Sequence, residues 1–173
     1  LEWADRKEVV GKIVRWIRKI RPDVLMAFDP GWGYVRWHKT DHRTASYLAA
    51  DASRAAEWRL IFPGQIIHEG LKEWRVPEYL FYSPLEKDAN VTVDITKYND
   101  QRVEAKSKHL SQFSGMWNDY RGDDPKLLSK AERKEFNDRI SRMKKVDGKI
   151  VENFRYYTGF PDGIGSGRGS YPK

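Results

Sequence analysis

The chain has 173 residues, a net charge of +7 and no cysteine. This length is enough for one domain with a hydrophobic core, and the absence of cysteine excludes disulfides and thiolate metal ligands. No apolar run approaches the roughly 20 residues that span a bilayer, so we expect no membrane partner, and the lack of cysteine fits an expected cytoplasmic location. Because 25 acidic residues are interspersed among 32 basic ones, we interpret the charge as a solvated surface and expect no nucleic-acid partner.

The first third of the chain predicts a helix, a strand, a loop and a second helix. Residues 5–20 repeat apolar side chains every three or four positions, which predicts an amphipathic helix. The apolar run 23–30 predicts a strand buried on both faces. Residues 40–58 predict a helix with Thr40 or Asp41 as its N-cap. Functional loops of open α/β sheets lie at the carboxyl ends of strands, so the loop between this strand and helix is the expected place for a site.

Downstream, the pattern predicts an irregular connection, two strands, a helix and a basic helical region. In that order they cover residues 59–77, 78–83, 90–95, 97–113 and 126–155. The glycine-rich end, residues 161–173, predicts a flexible tail. Its GIGSGRG sequence neither follows a strand nor opens a helix, so we do not interpret it as a phosphate-binding loop.

The stretch RWHKTDHRTASYL, residues 36–48, concentrates groups that can ligate metals or transfer protons. His38 and His42 are four residues apart, and Asp41 precedes the second histidine. Zinc accepts neutral imidazole, and a neighbouring carboxylate can orient such a ligand. The residue types leave two interpretations open. The stretch is either part of a metal site or a polar loop in which Asp41 caps a helix and the histidines face solvent.

Four phrases follow one another along the chain: IRKIRPDVLMAFDPGWGYVRWHKTDHRTAS, FPGQIIHEGLKEWRVPEYLFYS, VTVDITKYNDQRVEAKSKHLSQF and, near the end, IVENFRYYTGF. In this order they resemble the C-terminal half of the LmbE-like, or PIG-L, zinc-dependent N-deacetylases. In that family a helix ends in IR-x-x-RPDVV, a buried strand ends in Asp-Pro, and a loop leads to a His-x-Asp-His motif that opens a helix. The resemblance covers residues 10–115 and the final phrase.

The resemblance implies an α/β fold, a Rossmann-like parallel sheet flanked by helices, with zinc as the cofactor. It implies hydrolysis of an N-acetyl or similar N-acyl amide on an amino sugar or another small amine. His42 matches the family's zinc-ligating histidine, and Asp41 matches the catalytic-site aspartate before it. Tyr34 and Trp37, in the preceding loop, are predicted to contact the small N-acylated substrate.

The motif departs from the family pattern at the first histidine, which polarises the amide oxygen and stabilises the oxyanion. Aligning Asp41 and His42 puts Lys39 at that position, with His38 one residue early. Lys39 could stabilise an oxyanion as a cation, and His38 could serve instead if the loop carries one extra residue. A third interpretation is that the activity is altered or lost. Lys39 and His38 are therefore both kept as catalytic candidates.

The family's Ala-His-Pro-Asp-Asp-Glu motif, which supplies two further zinc ligands and the general base, does not occur in this sequence. Catalytic zinc sites normally use three protein ligands. We therefore expect the N-terminal half of the enzyme as a separate partner chain, with the fold incomplete without it. The first residue, Leu1, is not methionine, which favours a processed or split chain.

These inferences predict three regions along the chain. Residues 1–115 form the C-terminal half of a deacetylase-like α/β domain, residues 116–160 form a basic, mostly helical extension, and residues 161–173 form the tail. The alternative is a catalytically altered or inactive family member that acts as a basic binding or scaffold subunit.

Overall fold

A computed structural model describes residues 1–31, 39–109 and 145–159, together with Lys130, Ala131, Lys134 and Asp138. The helices are α1 (Arg6–Ile20), α2 (Thr40–Ala56), α3 (Pro63–Ile67) and α4 (Asn99–Ser107), with single-turn 3-10 helices at Glu86–Asp88 and Thr96–Tyr98. The strands are β1 (Val24–Phe28), β2 (Glu78–Tyr82), β3 (Val91–Asp94), β4 (Lys145–Val146) and β5 (Lys149–Thr158). Among the described helices, none has the length and apolar character to cross a membrane.

The strands form a mixed sheet in the order β1-β2-β5-β3, with β4 paired to β5. Strands β1 and β2 are parallel, with Val24 opposite Glu78 and Phe28 opposite Tyr82. The chain between them passes through helices, as a parallel pair requires. The predicted α/β fold with helices flanking a sheet is confirmed. The sheet is mixed rather than parallel throughout, because β5 runs antiparallel to β2.

The described residues divide into two compact units. One contains the described residues up to 92 and those from 153 onward, and the other contains the described residues between 93 and 152. In the first unit, α1 packs against α2, and α2 packs against β1. The core of this unit consists of Val10, Val14, Ile17, Ala27, Leu48, Ala52, Ala55, Ala56, Val76, Tyr79, Phe81 and Tyr157.

Strand β1 is buried on one face. Alternate strand residues point to opposite faces of a sheet, and Ala27 packs into the core. Val24 and Met26 point the other way and are 41% and 58% exposed. The prediction of a strand buried on both faces is therefore wrong for this chain, because the described residues cover only one face of β1.

Helix α1 begins and ends where the sequence predicts. Asp5 is the N-cap, and its carboxylate accepts a hydrogen bond from the Glu8 amide at 2.7 Å. The helix ends at Ile20, and Arg21 follows in the left-handed region with φ of 54°. The ring of Pro22 disfavours continuation of the right-handed helix through Arg21. Gly11 allows a close approach, since a Cβ there would lie 2.9 Å from a ring carbon of Phe62.

A buried arginine joins α1 to the end of α2. Arg18 is only 2% exposed. Its guanidinium donates to the side-chain oxygen of Gln65 at 3.1 Å and to a ring of backbone carbonyls. The carbonyls belong to Ala55, Ala56, Trp58, Ile61 and Phe62, at 2.9 to 3.4 Å. The arginine therefore satisfies acceptors that the helix end leaves without intrahelical partners.

Helix α2 differs from the prediction at its first residue. The Arg43 amide donates to the Lys39 carbonyl at 3.0 Å, which makes Lys39 the N-cap, and no side chain caps the helix. The predicted cap at Thr40 or Asp41 is therefore wrong, because both residues lie inside the first turn. The connection predicted as irregular over residues 59–77 contains the short helix α3.

The second unit corrects the prediction for the basic region. The expected helix over residues 126–155 is wrong from residue 145, where β4 and β5 form a hairpin with Val146 opposite Lys149. Asp147 and Gly148 both have positive φ, 50° and 77°, as a two-residue Asp-Gly hairpin turn requires. The rest of that region and the predicted tail lie outside the described residues, apart from the four positions between 130 and 138 that are helical.

The helix predicted over residues 97–113 is shorter in the structure, where α4 ends at Ser107, and residues 110–113 lie outside the described part. Thr96, which the sequence predicts as the cap of this helix, lies in the 3-10 helix Thr96–Tyr98 and does not cap α4. The Thr96 hydroxyl donates to the Asp94 carboxylate at 2.7 Å and accepts from the Ile150 amide at 2.9 Å. This hydroxyl donor lowers the pKa of Asp94.

Candidate functional site

The candidate site lies where β1 ends and α2 begins. Phe28 is the last residue of β1, and Thr40 is the first of α2. Asp29 is fully buried, and Gly31 has a φ of 76°, which glycine adopts without the strain that a side chain would add. The connecting residues 32–38 lie outside the described part of the chain. The site is thus at a carboxyl strand end, where open α/β sheets place functional loops.

His42, on the first turn of α2, packs against the end of β1. Its imidazole stacks on the Phe28 ring with centroids 4.2 Å apart and planes 13° apart. One turn later, the Ser46 hydroxyl donates to the Phe28 carbonyl at 2.9 Å. Residues four apart share a helix face, so this face of α2 holds His42 against the strand. The Tyr82 ring also lies against Phe28, at 4.5 Å, and burial raises the pKa of Tyr82.

The other two described candidates face solvent. Lys39 is exposed at the N-cap of α2. The Asp41 side chain is 69% exposed, and its carboxylate lies 3.4 Å from the Leu1 amino group. The structure therefore places Lys39, Asp41 and His42 on one helix start, with His42 alone turned toward the strand end.

Three further predicted residues, Tyr34, Trp37 and His38, lie in the connection outside the described residues. Their roles in substrate contact and oxyanion stabilisation stay predictions. The choice between His38 and Lys39 for the position of the family's first motif histidine also stays open.

The described residues do not fit a complete zinc site. Within them, no group of three or more histidine, aspartate or glutamate side chains is placed to hold a metal ion. Catalytic zinc normally uses three protein ligands. The nearby carboxylate of Asp29 is held by the guanidinium of Arg155. His42 is thus one candidate ligand without two companions among the residues the structure describes.

A surface pocket of about 380 Å³ lies beside α2. It is lined by Leu1, Glu2, Ala4, Arg6, Arg43, Thr44, Tyr47 and Leu48. None of the predicted site residues is among its lining residues, so the pocket gives no support to the predicted chemistry.

The sequence analysis missed a buried ion pair at the same strand end. Asp29 and Arg155 are 0% and 3% exposed, and the Arg155 guanidinium donates to Asp29 Oδ1. The sequence offers one sign of Arg155, a charged residue inside an otherwise apolar and aromatic run, FRYY. Buried charges are normally paired, but the sequence does not show which residue 126 positions away is the partner.

No protein-family model matches the chain. Two curated proteins are similar to it, and both are named 1D-myo-inositol 2-acetamido-2-deoxy-alpha-D-glucopyranoside deacetylase. The protein from Kineococcus radiotolerans is 38% identical over 58 residues, which cover 31% of this chain and 16% of that protein. The one from Rhodococcus jostii is 27% identical over 133 residues, which cover 64% of this chain and 45% of that protein. The chain thus spans less than half the length of either relative.

Solved structures share the fold at lower sequence identity. N,N'-diacetylchitobiose deacetylase from Pyrococcus horikoshii matches with a TM-score of 0.64 and 20% identity, over 92% of this chain and 55% of that one. GalB, the 4-carboxy-2-hydroxymuconate hydratase from Pseudomonas putida KT2440, matches with a TM-score of 0.51 and 15% identity, over 88% and 59%. These likenesses establish the fold. The difference between their two reactions shows that this fold does not determine the chemistry.

Proposed function

Because the chain belongs to the LmbE-like, or PIG-L, superfamily, we propose that it is part of an N-deacetylase. The substrate is an N-acetyl or similar N-acyl amide on an amino sugar or another small amine. Both curated relatives are named as deacetylases of a 2-acetamido-2-deoxy sugar, which supports this substrate class. The observation that carries the proposal is the position of His42, stacked at the carboxyl end of β1.

Lys39 is the described residue that best fits oxyanion stabilisation. It places a cation at the N-terminus of α2, where the helix dipole is already positive and such a charge opposes it by about 0.3–1 kcal/mol. An unfavourable local interaction such as this one, between a cation and the positive end of a helix dipole, is expected at functional sites. The Lys39 cation and the first amides of α2 would together attract the negative charge that develops on the amide oxygen.

The metal requirement is part of the proposal. His42 supplies one ligand, and no described group supplies three. We propose that the other zinc ligands and the general base come from a segment outside these 173 residues. That segment is either a separate chain, as the sequence analysis expects, or another part of the same polypeptide. In support, the chain spans 45% of the longer-matching relative and 55% of the chitobiose deacetylase chain.

The exposed side of β1 is the surface on which that segment would dock. Among the described residues, β1 pairs with β2 alone, so its other edge is open there, and Val24 and Met26 are exposed on the face that the described residues leave uncovered. A strand added in parallel to that edge would end on the same side of the sheet as β1. Its carboxyl end would then carry ligands toward His42, as carboxyl strand ends do in open α/β sheets.

A second candidate function is a basic binding or scaffold subunit without this chemistry. Two observations favour it. Lys39 stands where the family has its first motif histidine, and the described residues hold no three-ligand group. Under this alternative the fold is retained while the intact protein neither binds zinc nor releases acetate.

Acetate release from N-acetylglucosamine by the intact purified protein tests the two candidates. We expect His42→Ala to reduce release to background. His68→Ala is the matched control, because His68 is exposed at the end of α3, and it should keep the wild-type rate within about twofold, since surface substitutions away from a site have small effects. Equal loss in both variants would contradict the role of His42, and a wild-type protein without acetate release would favour the scaffold.

A further inference from the structure

Asp29 and Arg155 form a buried ion pair that spans three strands. Asp29 directly follows β1, and Arg155 lies on β5, where it is paired with Phe81 of the intervening β2. The Arg155 guanidinium carbon lies 5.8 Å from the Phe81 ring centroid and 5.3 Å from that of Tyr157. The aromatic rings and the carboxylate together enclose the cation, and its bond to Asp29 ties the end of β1 to a strand two places away.

Stability alone does not account for such a pair. Removing two charges from water carries a large desolvation penalty, and an apolar pair of similar volume is often equally stable or more so. Two further hydrogen bonds of Asp29 indicate the structural role of the ion pair. Its Oδ1 also accepts from the Gly31 amide at 2.8 Å, and its own amide donates to the Tyr82 carbonyl at 3.0 Å. Arg155 therefore holds a carboxylate that fixes the turn at which the chain leaves β1.

That turn determines where His42 lies. Phe28 immediately precedes Asp29, so its backbone moves with the turn. Its carbonyl is bonded to Ser46 and its ring carries the His42 imidazole. Because interiors are close-packed and transmit small shifts, a displaced Asp29 moves Phe28 and, with it, the surface on which His42 rests.

We propose that Arg155 is a positioning residue, which acts through Asp29 and Phe28 to fix the orientation of the His42 imidazole. The chemical use of that orientation rests on the proposed deacetylase function. The orientation itself does not, so it can be measured without any activity.

The test is the NMR signal of the His42 Cε1 proton in the intact protein, labelled with ¹³C-histidine and assigned by its loss in His42→Gln. Stacking on Phe28 shifts this signal by the ring current. The double variant Asp29→Asn, Arg155→Met removes both charges and so leaves no lone buried charge. We expect the His42 signal to move toward the position of an unstacked histidine while the circular dichroism spectrum stays folded. Acetate release should fall by about 10- to 100-fold, the effect of a small misplacement of a reacting group.

Two further variants complete the experiment. Arg15→Gln with Glu69→Gln removes an exposed ion pair of the same unit and should leave the His42 signal in place. Arg155→Lys keeps the charge but not the planar fork, and it should give a smaller shift in the same direction, which provides the test if the double variant does not fold. An unshifted signal in a folded double variant or in Arg155→Lys would overturn the positioning role. A shifted signal in a protein whose wild type releases no acetate would support it and contradict the proposed function.

Discussion

Two arginines, Arg18 and Arg155, are buried and contact groups that lie far away in the sequence. Each is enclosed by groups distant in sequence: Arg18 by carbonyls at least 37 residues away and Arg155 by a carboxylate 126 residues away. Burial lowers the pKa of Arg18, but guanidinium remains protonated in proteins. Neither environment could be predicted from the sequence, because a charged residue on an amphipathic helix or strand is ordinarily assigned to the solvent face.

Arg18→Met should destabilise the protein by about 3 kcal/mol, because it leaves several buried carbonyls without a donor. The free energy of unfolding from urea denaturation measures the effect. Arg15→Met is the control on the same helix, since Arg15 contacts Glu69 at the surface and exposed ion pairs contribute little. A loss for Arg18→Met no larger than that for Arg15→Met would mean that the carbonyl ring is not maintained by the guanidinium.

Local sequence patterns predict those helix limits that are set by neighbouring residues. Helix α1, with its Asp5 cap and its end before Pro22, follows from spacing and backbone sterics. The sequence predicts a helix where β5 lies, because Ile150, Val151 and Phe154 also fit helical spacing. The strand conformation of β5 comes from its pairing with β2, which is about 70 residues away, in the register Phe81 to Arg155. The Asp147-Gly148 turn is the local feature that could have identified it.

The open edge of β1 leads to a prediction about assembly. Val24→Lys should weaken attachment of the segment that we propose as the source of the remaining ligands, because charged side chains, lysine especially, discourage strand addition at an edge. Acetate release should fall, and if the segment is a separate chain, size-exclusion chromatography should also show a loss of assembly. Val93→Lys in β3 is the matched control, since Val24 and Val93 are similarly exposed, at 41% and 40%.

The two valine variants separate a docking surface from a general effect of added charge. If Val24→Lys and Val93→Lys lose acetate release and assembly to the same extent, the β1 edge is not the place where the segment attaches. If only Val24→Lys loses both, the edge has the role proposed for it.

For the molecule as a whole, the sequence indicates the family but does not show which residues complete the site around His42. The helix-strand-loop-helix order around His42 was predicted, apart from the N-cap at Lys39, and the structure places His42 at the end of β1. The set of metal ligands could not be predicted from this chain, because catalytic zinc normally uses three protein ligands and the described residues hold no group of three candidate side chains. Tyr34, Trp37 and His38 stay predictions.

We propose that His42 completes a zinc site whose other ligands lie outside these 173 residues. Zinc content of the intact purified protein, measured by inductively coupled plasma mass spectrometry in wild type and in His42→Ala, tests it most directly. We expect one zinc ion per molecule in the wild type, its loss in His42→Ala and an unchanged zinc content in His68→Ala. Full zinc content in His42→Ala, or a wild-type protein that binds no zinc, would contradict it.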